Sequence, residues 1–317
     1  MGVTPQSASP PAPAQTSQHA GWIGPTLAIV GVFGFAFKAI LIKLAYAWIT
    51  IDPVTLLTFR MLYSAPFFAI MAWWAARSSG TKPLGRNDWV AIVWLGFVGY
   101  YLASLLDFIG LQYVTASLER LMLYLYPTIV VVLSALFFKQ RITGRILVAL
   151  ALSYAGIFLV FARDLSFAGD AAALWLGAAL VFSSSFLYAV YLVGAGPVIA
   201  RVGSLRFIAL AMLVSSMFVF VQFALTRPVT ALSVPLRIHL LSLAMAFFST
   251  VLPTYLIAEA IKRMGASRTS LIGSLGPLFT IWLGWWFLGE SVHWIQLVGA
   301  ALVLAGVALV TLKPKGK

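Results

Sequence analysis

Apolar residues run along this chain in long stretches, and the charged residues fall in the gaps between them. A bilayer core of about 30 Å is crossed by about 20 apolar helical residues. The windows Phe207–Thr226, Thr269–Gly289, Trp294–Leu312 and Leu240–Ala258 meet that length. Ala171–Ala200 is a longer uncharged run that holds one span and a Gly-Pro exit, and Trp89–Leu106, Leu121–Phe138 and Ile146–Ala162 are somewhat short but free of charge. Gly24–Ala47 and Pro53–Ala76 complete the set, with Lys38, Lys43 and Arg60 embedded in them. The pattern predicts ten transmembrane helices and an all-α integral membrane fold.

Lysine and arginine order these spans, because loops that stay in the cytoplasm are enriched in both. With the N-terminus in the cytoplasm, the inner loops and tail hold fourteen: Arg77, Lys82 and Arg86; Lys139, Arg141 and Arg145; Arg201 and Arg206; Lys262, Arg263 and Arg268; Lys313, Lys315 and Lys317. The outer loops hold Arg163, Arg227 and Arg237. One missed helix would invert every later loop and spoil that split, so it supports an even number of spans and cytoplasmic termini. Trp48, Trp285 and Trp294 near one boundary, with Trp22, Trp73, Trp74 and Trp89 near the other, form the expected aromatic belts.

Composition agrees. Hydrophobic residues make up 62% and charged residues 9% of the 317, against roughly a quarter charged in soluble domains. So few charges cannot cover a globular surface, and the partner of this surface is the lipid bilayer. The net charge of +13 sits between apolar segments rather than on one face or in one run, which argues against nucleic acid. Cysteine is absent, which excludes disulfides and thiolate metal sites. Residues 1–23, rich in Pro, Ser, Ala and Gln, lack the basic and apolar regions of a signal peptide and read as a disordered cytoplasmic tail. Residues 313–317 read as a basic cytoplasmic tail.

Shifting the chain by 150 positions aligns Phe97–Val160 with Phe247–Val310 without a gap. Eighteen of the 64 pairs are identical, and while Leu and Ala matches would be expected by chance, Pro127/Pro277 and Gly156/Gly306 in one register would not. The chain therefore reads as two repeats, 24–163 and 171–312, of five spans each. Five is odd, so the second repeat enters the membrane inverted. Inverted repeats place a substrate site near the midplane and give two mirror-related states of similar energy, as alternating access requires.

Three segments carry a family resemblance. One runs from Ile40-Leu41-Ile42-Lys43 through Asp52-Pro53 to Phe59-Arg60; a second from Ala116-Ser117 to Leu125-Tyr126-Pro127; the third covers Gly276-Pro277, Phe287-Leu288-Gly289-Glu290, Gln296-Leu297-Val298-Gly299-Ala300 and Ala305-Gly306-Val307. Together they resemble the EamA family of the drug/metabolite transporter superfamily over about residues 24–312. The first repeat departs from the pattern in having Gln140 where the second has Glu290. The resemblance implies a multi-pass protein of a bacterial inner (plasma) membrane that moves a solute, usually outward. It does not name the solute.

Charges at membrane depth cost at least about 2.5 kcal/mol each and usually face a cavity or a partner. Arg60 lies seven residues past Pro53, about 10 Å below the boundary, and Glu119 and Arg120 open the fourth span from the same side. An Arg60–Glu119 contact is expected, either in the pathway or as a packing pair. Lys43 is either a pathway residue or a snorkelling one. Lys38 lies deeper, about 140° around the helix from Lys43, so the two are not expected in one cavity. Asp107 and Glu259 read as interfacial, and Glu290 as fixing the turn between the last two spans.

Tyr100, Tyr101, Tyr124 and Tyr126 either line the pathway or form an aromatic packing cluster. Ser184, within Ser183-Ser184-Ser185, bonds either substrate or a neighbouring helix. Pro127, Pro253 and Pro277 interrupt three spans and are hinge candidates, each freeing a carbonyl for a cavity or a neighbour. Ala151/Ala155 and Ala301/Ala305 allow close helix approach, either within the monomer or in a homodimer through the fifth and tenth spans.

No carboxylate sits inside the first or sixth span. The embedded set of Lys38, Lys43, Arg60 and Arg120 against Glu119 is positive. That favours an anionic or zwitterionic solute such as an amino acid or organic acid, with a proton as a candidate coupling ion. The alternatives are an exporter of hydrophobic or cationic drugs, a channel and a non-transporting receptor. Three histidines outside the spans and the absence of hydrolase, phosphate-loop or zinc motifs argue against an enzyme, a metal or a cofactor.

Overall fold

A computed structural model describes residues 20–77, 83–137, 143–167, 169–264, 269 and 272–311. Both tails, Gln140 and Ala266-Ser267 lie outside the described residues or almost wholly so. The described chain is helical and forms ten membrane-crossing units, eight of them long apolar spans and two shorter. They are α1 (Ala20–Trp48), α2 (Pro53–Arg77), α3 (Arg86–Gly110), α4 (Ala116–Phe137), α5 (Gly144–Phe167), α6 (Ala171–Val202), α7 (Ser204–Thr226), α8 (Leu236–Ile261), α9 (Gly276–Leu288) and α10 (Trp294–Thr311). Lipid-facing positions keep large apolar groups outward: Trp22, Trp74, Trp94, Trp286 and Trp294 are all more than half exposed.

The packing is that of two interlocked halves. The opening helix of each repeat lies on the third and fourth helices of the other: α1 on α8 and α9, α6 on α3 and α4. Helix α2 packs on α7, and α5 on α10. The α5–α10 seam is tight because glycine faces backbone. A Cβ at Gly156 would stand 2.5 Å from Gly299 O, and one at Gly306 2.5 Å from Ala149 O. Glycine is used here for close approach. Ala151, Ala155, Ala301 and Ala305, expected either in this seam or in a homodimer, are exposed and take no part in the seam within the chain.

Two backbone irregularities recur at the 150-residue shift. Helix α3 widens into a π-helical segment at Phe97–Leu102, and α8 does so at Phe247–Val251. Helix α4 breaks at Tyr124-Leu125, and the chain entering α9 turns at Ser274-Leu275. Insertions of this kind inside helices re-aim side chains and concentrate at functional sites. Pro253 follows the second π segment, and Pro127 and Pro277 each follow a break within two residues.

Candidate functional site

Proline at 127 and 277 removes the N–H that would bind the carbonyl four residues earlier, which leaves Leu123 O and Gly273 O open. Neighbouring helices close both. Ser185 Oγ on α6 donates to Leu123 O at 3.1 Å, and Tyr124 Oη donates to Gly273 O. Ser184 Oγ likewise donates to Ala103 O at 2.7 Å. Ser184 and Ser185 are therefore engaged in helix contacts. The two breaks also meet each other: a Cβ at Gly276 would stand 2.5 Å from Tyr124 Oη and 2.8 Å from a terminal nitrogen of Arg120.

Beside them lies a buried charged cluster. Lys38 Nζ on α1 is 2.6 Å from Asp107 Oδ2 on α3 and 3.4 Å from Glu119 Oε1 on α4. Asp107 is 2% and Glu119 0% exposed, which places both carboxylates inside the bundle. Removing one partner from such a cluster typically costs about 3–5 kcal/mol, because it strands a buried charge. Arg60 does not reach Glu119. Its Nε donates to Thr250 Oγ1 at 3.1 Å, a terminal nitrogen donates to Ser104 Oγ at 3.4 Å, and its guanidinium lies 5.6 Å from the Phe108 ring centre. The shorter Glu119 side chain meets the lysine one helix away instead. Lys43 is separate, donating to Val114 O at 2.8 Å and closing the carbonyls that follow α3.

From this cluster a chain of tyrosines crosses the bundle. Arg120 lies 5.2 Å from the Tyr124 ring centre. The rings of Tyr124 and Tyr126 stand 6.3 Å apart, Tyr126 and Tyr188 5.3 Å, and Tyr188 and Tyr191 5.5 Å. The hydroxyls of Tyr191 and Tyr100 are hydrogen-bonded at 3.1 Å. Tyr101, next along the π segment, turns away and stacks on Phe218 of α7. Among the described residues, Arg120 Nε is buried and has no hydrogen-bond partner. The arrangement offers a guanidinium donor, carboxylate acceptors and aromatic faces on one path, a set that holds charged organic solutes by ion pairing and cation–π contact.

Glu290 works at the end of the bundle that holds Asp52. Gly289 takes the left-handed conformation (φ 67°) and ends α9, a turn that glycine adopts without steric cost. Glu290 then reaches across the repeats: Oε1 accepts from Ala116 N at 2.8 Å and Oε2 from Ser117 Oγ at 2.9 Å. It caps the start of α4, where the helix dipole favours an anion. The expected local turn-fixing role is thus an inter-repeat one. Thr115 joins the cap by accepting from Leu118 N and donating to Asp164.

Sequence reasoning missed three site residues. Asp107 looked interfacial because its span was read as ending at Leu106, whereas α3 continues to Gly110 and carries it inward by a turn. Tyr188 and Tyr191 lie at helical spacing from Ser184, so the polar stripe 184/188/191 was a usable signal. Glu259 is half-buried and pairs with Arg263 one turn on, at 2.9 Å, as expected of an interfacial residue.

Comparison with known proteins bears on this geometry. The EamA-like transporter family description matches twice, over residues 22–162 and 175–312. An uncharacterized transporter of Bacillus subtilis (strain 168), YcbK, is 31% identical over 87% of this chain and 88% of its own length. A probable terminal-alkyne amino-acid exporter of Streptantibioticus cattleyicolor is 25% identical over 77% of this chain and 80% of its own. One solved crystal structure superposes with a TM-score of 0.60 at 18% identity, covering 93% of this chain and 96% of that one, a likeness of fold. The chain belongs to the EamA-like transporter family and is a multi-pass membrane transporter, not an enzyme.

Proposed function

We propose that the protein is a secondary carrier that exports a zwitterionic metabolite of the amino-acid class by alternating access. One observation carries this reading. Among the described residues, Arg120 offers a buried Nε without an acceptor, and Glu119, the preceding residue, offers two buried oxygens that accept no hydrogen bond, with Lys38 paired to one of them at 3.4 Å. Unsatisfied buried polar groups are costly, and a ligand that completes them recovers that cost. An α-amino acid supplies a carboxylate for the guanidinium and an ammonium for the carboxylates, with tyrosine faces beside both. The inward position of Asp107 makes the embedded charge less positive than the sequence count, which favours a zwitterion over an anion.

The excess of Lys and Arg at the Arg77 end of the bundle supports cytoplasmic termini in a bacterial plasma membrane. The relative named as an amino-acid exporter supports both direction and substrate class. Pro127, Pro253 and Pro277, beside the breaks and the second π segment, are the proposed hinges.

The test is exchange in proteoliposomes with radiolabelled L-alanine, succinate and tetraphenylphosphonium as probes. The expected result is saturable alanine uptake that unlabelled alanine trapped inside accelerates. Exchange of tetraphenylphosphonium alone would move the reading to cationic drugs, and an ohmic current would make the protein a channel.

A further inference from the structure

We propose that Asp107 and Glu119 share a single proton beside Lys38, and that this proton is what the carrier exchanges for its solute. The coupling step rests on the amino-acid reading above; the proton site does not. Asp107 Oδ1, Glu119 Oε1 and Glu119 Oε2 are buried and receive no hydrogen bond. The two carboxylates nevertheless converge on one ammonium, Lys38 Nζ standing 2.6 Å from Asp107 Oδ2 and 3.4 Å from Glu119 Oε1. Two ionised carboxylates have only acceptors to present. One proton lets one acid donate a hydrogen bond to the other and removes a buried charge.

Among the described residues, no neighbouring group supplies that hydrogen. Lys38 is committed to Asp107 Oδ2, and its longer approach to Glu119 Oε1 makes an ion pair without a hydrogen bond. On α1, Lys43 donates to Val114 O and Tyr46 donates to Phe108 O. Arg60 on α2 is held by Thr250 and Ser104. Arg120 lies over Tyr124, and Tyr124 donates to Gly273 O. Tyr191 on α6 is paired with Tyr100 on α3, and Glu290 faces the start of α4. The charged and titratable groups packed around the pair leave these oxygens to each other.

The exchange balances. With the site empty of solute, one O–H joins the two acids. When a solute ammonium arrives, that O–H breaks, the proton leaves to water, and both carboxylates face the ammonium and Lys38. When the solute departs on the far side, a proton from that side restores the O–H. One zwitterion moves one way and one proton the other, so each cycle carries one positive charge inward during export.

The decisive measurement needs no solute. Infrared difference spectra of the protein in vesicles, titrated with acid and alkali, should show one carboxylic-acid C=O band that shifts in deuterium oxide. Glu119→Gln and Asp107→Asn should each abolish it, since the remaining acid then belongs to Lys38 alone. Absence of the band from the unmodified protein, or its survival in both variants, would overturn the shared proton. In the second arm, an outward proton gradient (lumen acidic) should raise steady-state accumulation of radiolabelled L-alanine in inside-out vesicles at least tenfold, and Glu119→Gln should remove that response. Alanine exchange that ignores the gradient would overturn the coupling. Failure of alanine to exchange at all would count against the amino-acid reading, with the infrared band still deciding the proton site.

Discussion

The third and fourth helices of the two repeats share a backbone and differ in chemistry. Both third helices widen at equivalent places, Phe97–Leu102 and Phe247–Val251, and the chain turns at equivalent places, Tyr124-Leu125 within α4 and Ser274-Leu275 just before α9, each two residues ahead of a proline. Yet Tyr100, Asp107, Glu119, Tyr124 and Tyr126 of the first repeat correspond to Thr250, Ile257, Thr269, Ser274 and Gly276 of the second. The deformations therefore belong to the geometry that both halves share, while the buried ionic groups reside in one half. The second repeat contributes small groups that make room and accept contacts: Thr250 for Arg60, Gly273 O for Tyr124, Gly276 for Arg120.

Changes to the first repeat should break transport most. Arg120→Ala removes a guanidinium from a buried ionic site, and such truncations cost about 2–5 kcal/mol. Alanine exchange should fall by roughly 100-fold, with the protein still folded by gel filtration in detergent. Retained exchange would dismiss Arg120 as a substrate group.

On the other side of the comparison, Gly276→Ala should act through the first repeat's residues. The added Cβ would meet Tyr124 Oη and Arg120, so exchange should drop about tenfold while thermal stability falls by about 1–3 kcal/mol, the usual cost of overpacking. Unchanged exchange would separate the break from the site.

Neighbouring tyrosines sharpen the contrast further. Tyr100→Phe loses the hydrogen bond to Tyr191, worth about 1 kcal/mol and so roughly fivefold in apparent affinity. Tyr101→Phe, which faces Phe218, should stay within about twofold, because no hydrogen bond is lost. Equal effects would show that the π segment does not sort these side chains.

The smallest effect is expected at Asp52, in the loop between α1 and α2. Burial, the largest single influence, acts to raise its pKa, but hydrogen bonds from Thr55 and Arg227 outweigh it and hold the carboxyl below its ordinary value. A carboxyl lowered on folding stabilises the protein above its unfolded pKa, and that contribution disappears as pH falls through the folded one. Asp52→Asn should lower stability by up to about 1 kcal/mol at neutral pH, as for partly exposed pairs. In thermal melts the difference from the unmodified protein should vanish in acid. A difference independent of pH would assign the loss to packing.

The membrane fold was legible because lipid imposes a length and a charge rule on each span, and the repeat because proline and glycine recur in register. Individual partners were less legible. Arg60 could be placed at depth by counting from Pro53, and Lys38, Glu119 and Arg120 from the limits of their spans, but which of them touch depends on helix rotation, which weakly amphipathic spans do not encode. The break at Tyr124-Leu125 adds a further rotation that no periodicity reveals. Glu290 illustrates the same limit: its motif marked it as special, while its partner lies 174 residues away in the other repeat.

The central claim is that Arg120 reads the carboxylate of a zwitterion, and exchange of L-alanine against L-alaninamide tests it most directly. Alaninamide keeps the ammonium and lacks the carboxylate. The unmodified protein should prefer alanine by about tenfold or more, the size expected when one charged hydrogen bond is lost, and Arg120→Ala should erase the preference. Equal transport of both compounds by the unmodified protein would contradict the claim.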